Sequence, residues 1–421
     1  MFTNDLIMNK FVTILIFLSA SSFFNPLGII SPQLSKFIYY VCIILGLFFL
    51  KNKAKVNNFK YPNRAFYMIV IGFIGALLMA FSLQDQSFIV SLVAILPYFL
   101  AYLSFFVFKS SGIDENSTKT IILGLLICST IIYIVNYITF PYMIFGNNDS
   151  TEIDDSRGVI RIGIQYIDLF ILATFYAINQ WLLSKKKKWL IIMVICLIMI
   201  VLTVTRQVIA VTAILGALFF LKKSKFHQKF IFIILISIFT IYILPEIPIY
   251  KTLVETTQNQ IDNNENKKED VRIRAARFYF DEYQTNNITR IFGNGIPSLG
   301  NSEWGKEFQR TVYYEYGGNG CFTSDVGWIG FYWHFGLIAV IGVFMLLLKA
   351  ATIKKSPDHE YLTYYCWAII LLSIMSAPIL IYRQVIDIMF VLYLTFAFGR
   401  KRSIKSTSYK LANVNQNKIY R

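Results

Sequence analysis

The sequence predicts an all-α polytopic membrane protein of about twelve transmembrane helices with one large extracytoplasmic loop. Three observations predict it. Of 421 residues, 56% are hydrophobic and only 15% charged, which is more apolar side chain than one soluble domain buries. The apolar residues gather in runs of helix-spanning length, and none alternates with the two-residue period of a membrane barrel. Lysines punctuate these runs in a one-sided pattern.

Taken in order, the predicted spans run about 7–24, 37–50, 65–83, 88–108, 119–140, 162–183, 189–204, 207–221, 230–246, 326–348, 361–381 and 384–399. The first could pass for a signal peptide, because Ser19-Ala20-Ser21 resembles a small-residue cleavage site. It is read as an uncleaved helix, since every later span then obeys the charge rule. Lys51, Lys53, Lys55, Lys60 and Arg64 mark the cytoplasmic side, as do Lys185 to Lys188, Lys222, Lys223, Lys225, Lys229, Lys349, Lys354 and Lys355. The organisation that follows is a helical bundle over 1–246, an outer loop over 247–325, about three helices over 326–399 and a basic tail over 400–421. Both termini lie in the cytoplasm.

A net charge of +16 does not point to nucleic acid, because the basic residues flank apolar runs instead of forming one face. Cys42, Cys128, Cys196 and Cys366 fall in apolar runs and only Cys321 lies in a polar loop. That leaves no disulfide within the outer loops. No metal-ligand spacing, phosphate loop or dinucleotide fingerprint occurs, so no metal or cofactor is expected.

Arginine is distributed unlike lysine. On this topology only 5 of 27 lysines lie outside, against 9 of 13 arginines: Arg157, Arg161, Arg206, Arg272, Arg274, Arg277, Arg290, Arg310 and Arg383. A guanidinium keeps its charge and donates paired hydrogen bonds, which suits a phosphate, so the outer face is expected to meet an anion. Ordinary pairing with outer carboxylates is the alternative for any single loop arginine. Within the large loop, Asp270 to Gln284 reads as a short helix carrying Arg272, Arg274 and Arg277, and glycines from Gly293 onward mark turns. A loop of about 79 residues without a disulfide is expected to pack on the helices.

Arg206 and Arg383 open their helices with the same tetrapeptide, Arg-Gln-Val-Ile. Helices from there to Lys222 and Arg400 reach roughly 24–25 Å, short of a hydrocarbon core of about 30 Å. Both guanidiniums therefore fall slightly below the outer surface, as anion ligands or as side chains snorkelling to the interface. Asp168 and Asp387 lie within spans. Both are candidate proton or cation sites, as in a transporter; Asp387, four residues after Arg383, also has the spacing of a structural ion pair. Trp304, Tyr313, Tyr314 and Tyr316 either stack on sugar rings or anchor at the interface.

The plan of the whole chain resembles the repeat-unit polymerases of O-antigen and capsule, the Wzy-like relatives of the O-antigen ligases. Locally, Thr203-Val204-Thr205-Arg206 resembles the opening of a middle helix in that family, without its Ser-Arg-Gly form. Arg277 followed by Phe292-Gly293-Asn294-Gly295 resembles an arginine helix with its glycine turn. Ser324-Asp325-Val326-Gly327, leading to Phe335-Gly336-Leu337-Ile338, resembles the start of the helix after the large loop.

The resemblance implies a bacterial cytoplasmic-membrane enzyme that moves a glycan from undecaprenyl pyrophosphate to a hydroxyl of the next lipid-linked unit, without metal or nucleotide sugar. A chain-length regulator is a further partner. Departure of pyrophosphate needs fixed positive charge, assigned to Arg206 and Arg383, and the acceptor hydroxyl needs a base. Asp325 is the candidate base, with a helix cap or first-turn acid as its alternative. Arg157, Arg161, Arg272, Arg274, Arg277, Arg290 and Arg310 are candidate binding residues. The competing functions are a lipid-linked oligosaccharide flippase or other transporter, and an O-antigen ligase. A polyprenyl-phosphate glycosyltransferase would be expected to carry acids in its first outer loop, and 24–36 has none.

Overall fold

The computed structural model describes residues 2–20, 31–49, 60–142, 144–146, 151–154, 159–162, 166–203, 205–224, 229, 271–283, 286–312 and 322–398. The expected span at 230–246 and the first part of the large loop lie outside them. Eight helices precede that gap: α1 Phe2–Ala20, α2 Pro32–Phe49, α3 Lys60–Ser82, α4 Phe88–Ser111, α5 Glu115–Thr139, α6 Ile167–Ser184, α7 Lys187–Leu202 and α8 Arg206–Lys223. After it come α9 Val271–Arg277, α10 Asn287–Phe292, α11 Glu303–Arg310, α12 Gly327–Thr352, α13 Tyr361–Leu372 and α14 Tyr382–Phe398. The only described sheet is a hairpin of β1 Thr151–Asp154 and β2 Val159–Ile162, paired antiparallel with Glu152 opposite Arg161.

Among the described residues five helices are long and apolar enough to cross a membrane: Pro62–Ser82, Phe88–Ser111, Glu115–Thr139, Ile167–Ser184 and Gly327–Thr352. Their ends have local causes. The Ser87 side chain accepts from the Val90 amide at the start of α4, and Gly112 closes that helix in the left-handed conformation. Pro97 inside α4 cannot donate, and Tyr39 Oη on α2 donates to its carbonyl at 3.1 Å. Outward faces stay apolar, with Ile74, Ile89, Ile131 and Ile138 all exposed, as expected of helices whose surroundings are not water.

Two expected spans are corrected. The run 361–381 does not form one helix: α13 ends at Leu372 and turns fill 373–381, where Ser373 and Ser376 bond back to Ile369 and Leu372 carbonyls. Pro378 lacks an amide hydrogen and cannot continue the helix. The run 326–348 is interrupted, because α12 breaks at Gly336 with φ 74° and ψ 174°.

That break seats the glycine turn. The amides of Asn294 and Gly295 donate to the carbonyls of Trp333 and His334 at 2.9 and 3.0 Å, so carbonyls released by the break are satisfied. The backbones approach so closely that a Cβ on Gly336 would strike Ile291 and Gly293, and one on Gly293 would strike His334 and Phe335. His334 is buried and bonds Gly295 O at 2.9 Å through Nδ1 and Thr323 Oγ1 at 3.1 Å through Nε2. The described part of the large loop therefore packs on α3 and α12, as its lack of a disulfide predicts.

Candidate functional site

Three helix ends meet around the turn after α13. The side-chain amide of Gln207, second residue of α8, donates to the Leu372 carbonyl at 2.9 Å. The Trp328 amide at the start of α12 donates to the Ser373 carbonyl at 2.7 Å. Tyr102 Oη on α4 donates to Ile379 O at 2.8 Å within the same turn, which then delivers the chain to α14. Arg206, Asp325 and Arg383 sit at the starts of α8, α12 and α14, so the elements that carry them converge at one end of the bundle.

Arg206 and Arg383 are both half-buried. The Arg383 guanidinium lies 5.6 Å over the Tyr382 ring, and its Nε donates to Tyr382 Oη at 3.3 Å. Tyr382 in turn packs against Tyr39 at 5.7 Å and Tyr98 at 6.3 Å between ring centroids. The expected ion pair with Asp387 is corrected. Among the described residues no ion pair joins them, and Asp387 Oδ1 is buried without a hydrogen-bond partner.

Asp325 closes a single 3-10 turn, Thr323–Asp325, and is half-buried. The N-cap position of α12 belongs to Val326, which makes no side-chain cap bond, so the capping alternative places the carboxyl one residue too early. The arginine helix α9 packs against this turn, which brings the candidate base and Arg272, Arg274 and Arg277 to one place. Arg272 and Arg277 are exposed, but Arg274 is half-buried with Nε and one terminal nitrogen fully enclosed and unbonded. A charged donor is costly to enclose without an acceptor, so these two nitrogens suit an anion that arrives from outside the chain.

Arg290 and Arg310 are exposed in the last turns of α10 and α11. Arg161 lies on β2, and Arg157, Tyr313, Tyr314 and Tyr316 fall outside the described residues. Trp304, read as a surface for sugar rings or an interfacial anchor, is buried in an aromatic cluster instead. Trp333 at its centre lies 5.2 Å from Phe308, 5.3 Å from Tyr279, 5.7 Å from Tyr283 and 6.3 Å from Trp304. Sequence reading missed this cluster, although the aromatic spacing of α9 to α12 carried the signal.

At the opposite end, Glu360 pairs with Lys222 at 3.1 Å and with Lys223. Burial acts to raise the Glu360 carboxyl, but hydrogen bonds and charge from both lysines outweigh it and hold it below the usual range. Burial pushes His359 down, opposed by the Glu115 carboxylate at 3.4 Å.

These features define an all-helical protein with helices of membrane-crossing length and an arginine-bearing segment folded onto them. The chain matches no known family model, and no curated protein matches it in sequence.

Proposed function

We propose that the chain joins undecaprenyl-pyrophosphate-linked oligosaccharide units into a surface polysaccharide at the outer face of a bacterial cytoplasmic membrane. In this reading about twelve spans cross the membrane, with both termini in the cytoplasm. The observation that carries it is Arg274, whose enclosed unbonded nitrogens lie on a helix packed against the Asp325 turn. An acceptor hydroxyl attacks the anomeric carbon of the donor glycan. The carbon–oxygen bond to pyrophosphate breaks, the hydroxyl proton passes to the Asp325 carboxylate, and undecaprenyl pyrophosphate leaves. Arginines fixed near the departing oxygens stabilise the charge that develops there, and Asp325 supplies the base. Arg274 and the starts of α8 and α14 are the proposed anion ligands. The chemistry uses neither metal nor nucleotide sugar, and an O-antigen ligase would differ only in its acceptor.

A second reading, transport of the lipid-linked oligosaccharide, is favoured by the break in α12 and the buried acids of α6 and α14, since broken helices and internal charges occur together in transporters. Deleting the gene in its native host separates the two. Polymerisation predicts single lipid-linked units exposed on the outer leaflet; units retained on the inner leaflet would overturn it in favour of transport.

A further inference from the structure

Asp168 on α6 and Asp387 on α14 are 219 positions apart in sequence yet within electrostatic reach of each other. Tyr365 of α13, a helix that packs on both, is within electrostatic reach of both carboxyls. The three side chains are 2%, 3% and 1% exposed. Asp168 Oδ2, Asp387 Oδ1 and Tyr365 Oη are each enclosed without a hydrogen-bond partner.

Their position follows from two contacts at the lysine-rich end. Asn179 Nδ2 donates to Asp358 O at 2.8 Å, and the ring of Phe398 stacks on His359 at 4.7 Å. Asp168 precedes Asn179, and Asp387 precedes Phe398, by eleven residues, about 16 Å of helix in each case. Asp168 is the second residue of α6 and Asp387 the sixth of α14, so both carboxyls lie toward the helix ends away from the lysine-rich end.

The charged and titratable groups around them supply no counter-charge. Arg383 is one turn away on α14 but is engaged by the Tyr382 ring and hydroxyl. Cys366 is the remaining titratable group facing Tyr365. Two carboxylates without a cation in an apolar core are not tolerated, because desolvation costs several kcal/mol per ion and mutual repulsion adds to it. Among the described residues no third acid, histidine or cysteine completes a metal cluster. Two carboxyls and a phenol are few ligands for calcium, which takes roughly six to eight oxygens.

We propose that Asp168, Asp387 and Tyr365 form a buried binding site for a single monovalent cation, either a proton shared between the carboxyls or a sodium ion. The site is separate from the arginine segment and holds whether the chain polymerises or transports.

Infrared spectra of the purified full-length protein in sodium-free buffer test it. In the proton case they contain the carbonyl band of a protonated carboxyl, shifted in deuterium oxide and lost in Asp168→Asn and Asp387→Asn. In the sodium case that band is removed by sodium chloride but not by choline chloride, and sodium chloride alone raises the unfolding temperature saturably in the parent and in neither variant. A parent with neither signal overturns the proposal, as do well-folded variants that retain the parental signal. The parent spectra decide the matter even if an asparagine variant fails to fold.

Discussion

The amide of Gly295 donates to the carbonyl of His334 at 3.0 Å, across a helix that breaks two residues later at Gly336. Through this contact the glycine turn and the helix after the large loop hold each other. Gly336→Ala therefore meets two obstacles. The left-handed φ costs a residue with a side chain about 1–2 kcal/mol, and the new Cβ strikes the backbone of Ile291 and Gly293. A loss of at least about 2 kcal/mol is expected, read as a lowered unfolding temperature of the purified protein. Gly300→Ala, also at positive φ but with nothing near its Cβ, should cost less.

The helical run from Val271 to Glu282, the starts of α8 and α14 and the packing of the described loop residues were legible in the sequence, because each has a local signal: an arginine period, a repeated tetrapeptide, a polar glycine-rich stretch. The break at Gly336 was not, since glycine within an apolar run reads as an ordinary span until its partner at 292–295 is known. The early end of α13 was masked by an apolar composition that continues to Ile381. The meeting of Asp168 with Asp387 depends on how α6 and α14 pack, and no short-range pattern encodes it.

Acid should loosen the lysine-rich end. His359 and Glu360 both have folded-state pKa values below their unfolded ones. Their stabilisation is complete above the unfolded values, about 6.5 for histidine and about 4.3 for glutamate, and is lost as pH falls through the folded ones. Glu360→Gln should cost about 1 kcal/mol near neutral pH, because Lys222 is largely solvated. It should also flatten the acid limb of a plot of unfolding temperature against pH; an unchanged limb would remove Glu360 from the account.

Arg274 separates anion binding from simple packing. Arg274→Lys keeps the charge but loses the planar fork, so both Arg274→Lys and Arg274→Ala should reduce polymer output at least tenfold at unchanged protein abundance, about 1.4 kcal/mol or more. Full recovery with lysine would leave charge alone as its role.

The proposed topology puts Ser302 outside and Ser184 inside. Single cysteines at these positions, labelled with an impermeant maleimide in intact cells or spheroplasts, should react at 302 and be protected at 184. The opposite pattern would invert the orientation and with it the proposed outer face of the arginine segment.

The most direct measurement is elongation of a synthetic lipid-linked repeat unit by the purified protein, with no nucleotide sugar and with chelator present. The account predicts a ladder of multiples of the unit from the parent protein. It predicts no ladder from Asp325→Asn, which keeps the shape of the side chain and much of its hydrogen bonding but cannot take the proton; that variant should still bind the lipid-linked unit. Folded parent protein that binds the unit and yields no ladder would contradict the account, and Asp325→Asn elongating near the parental rate would remove its base.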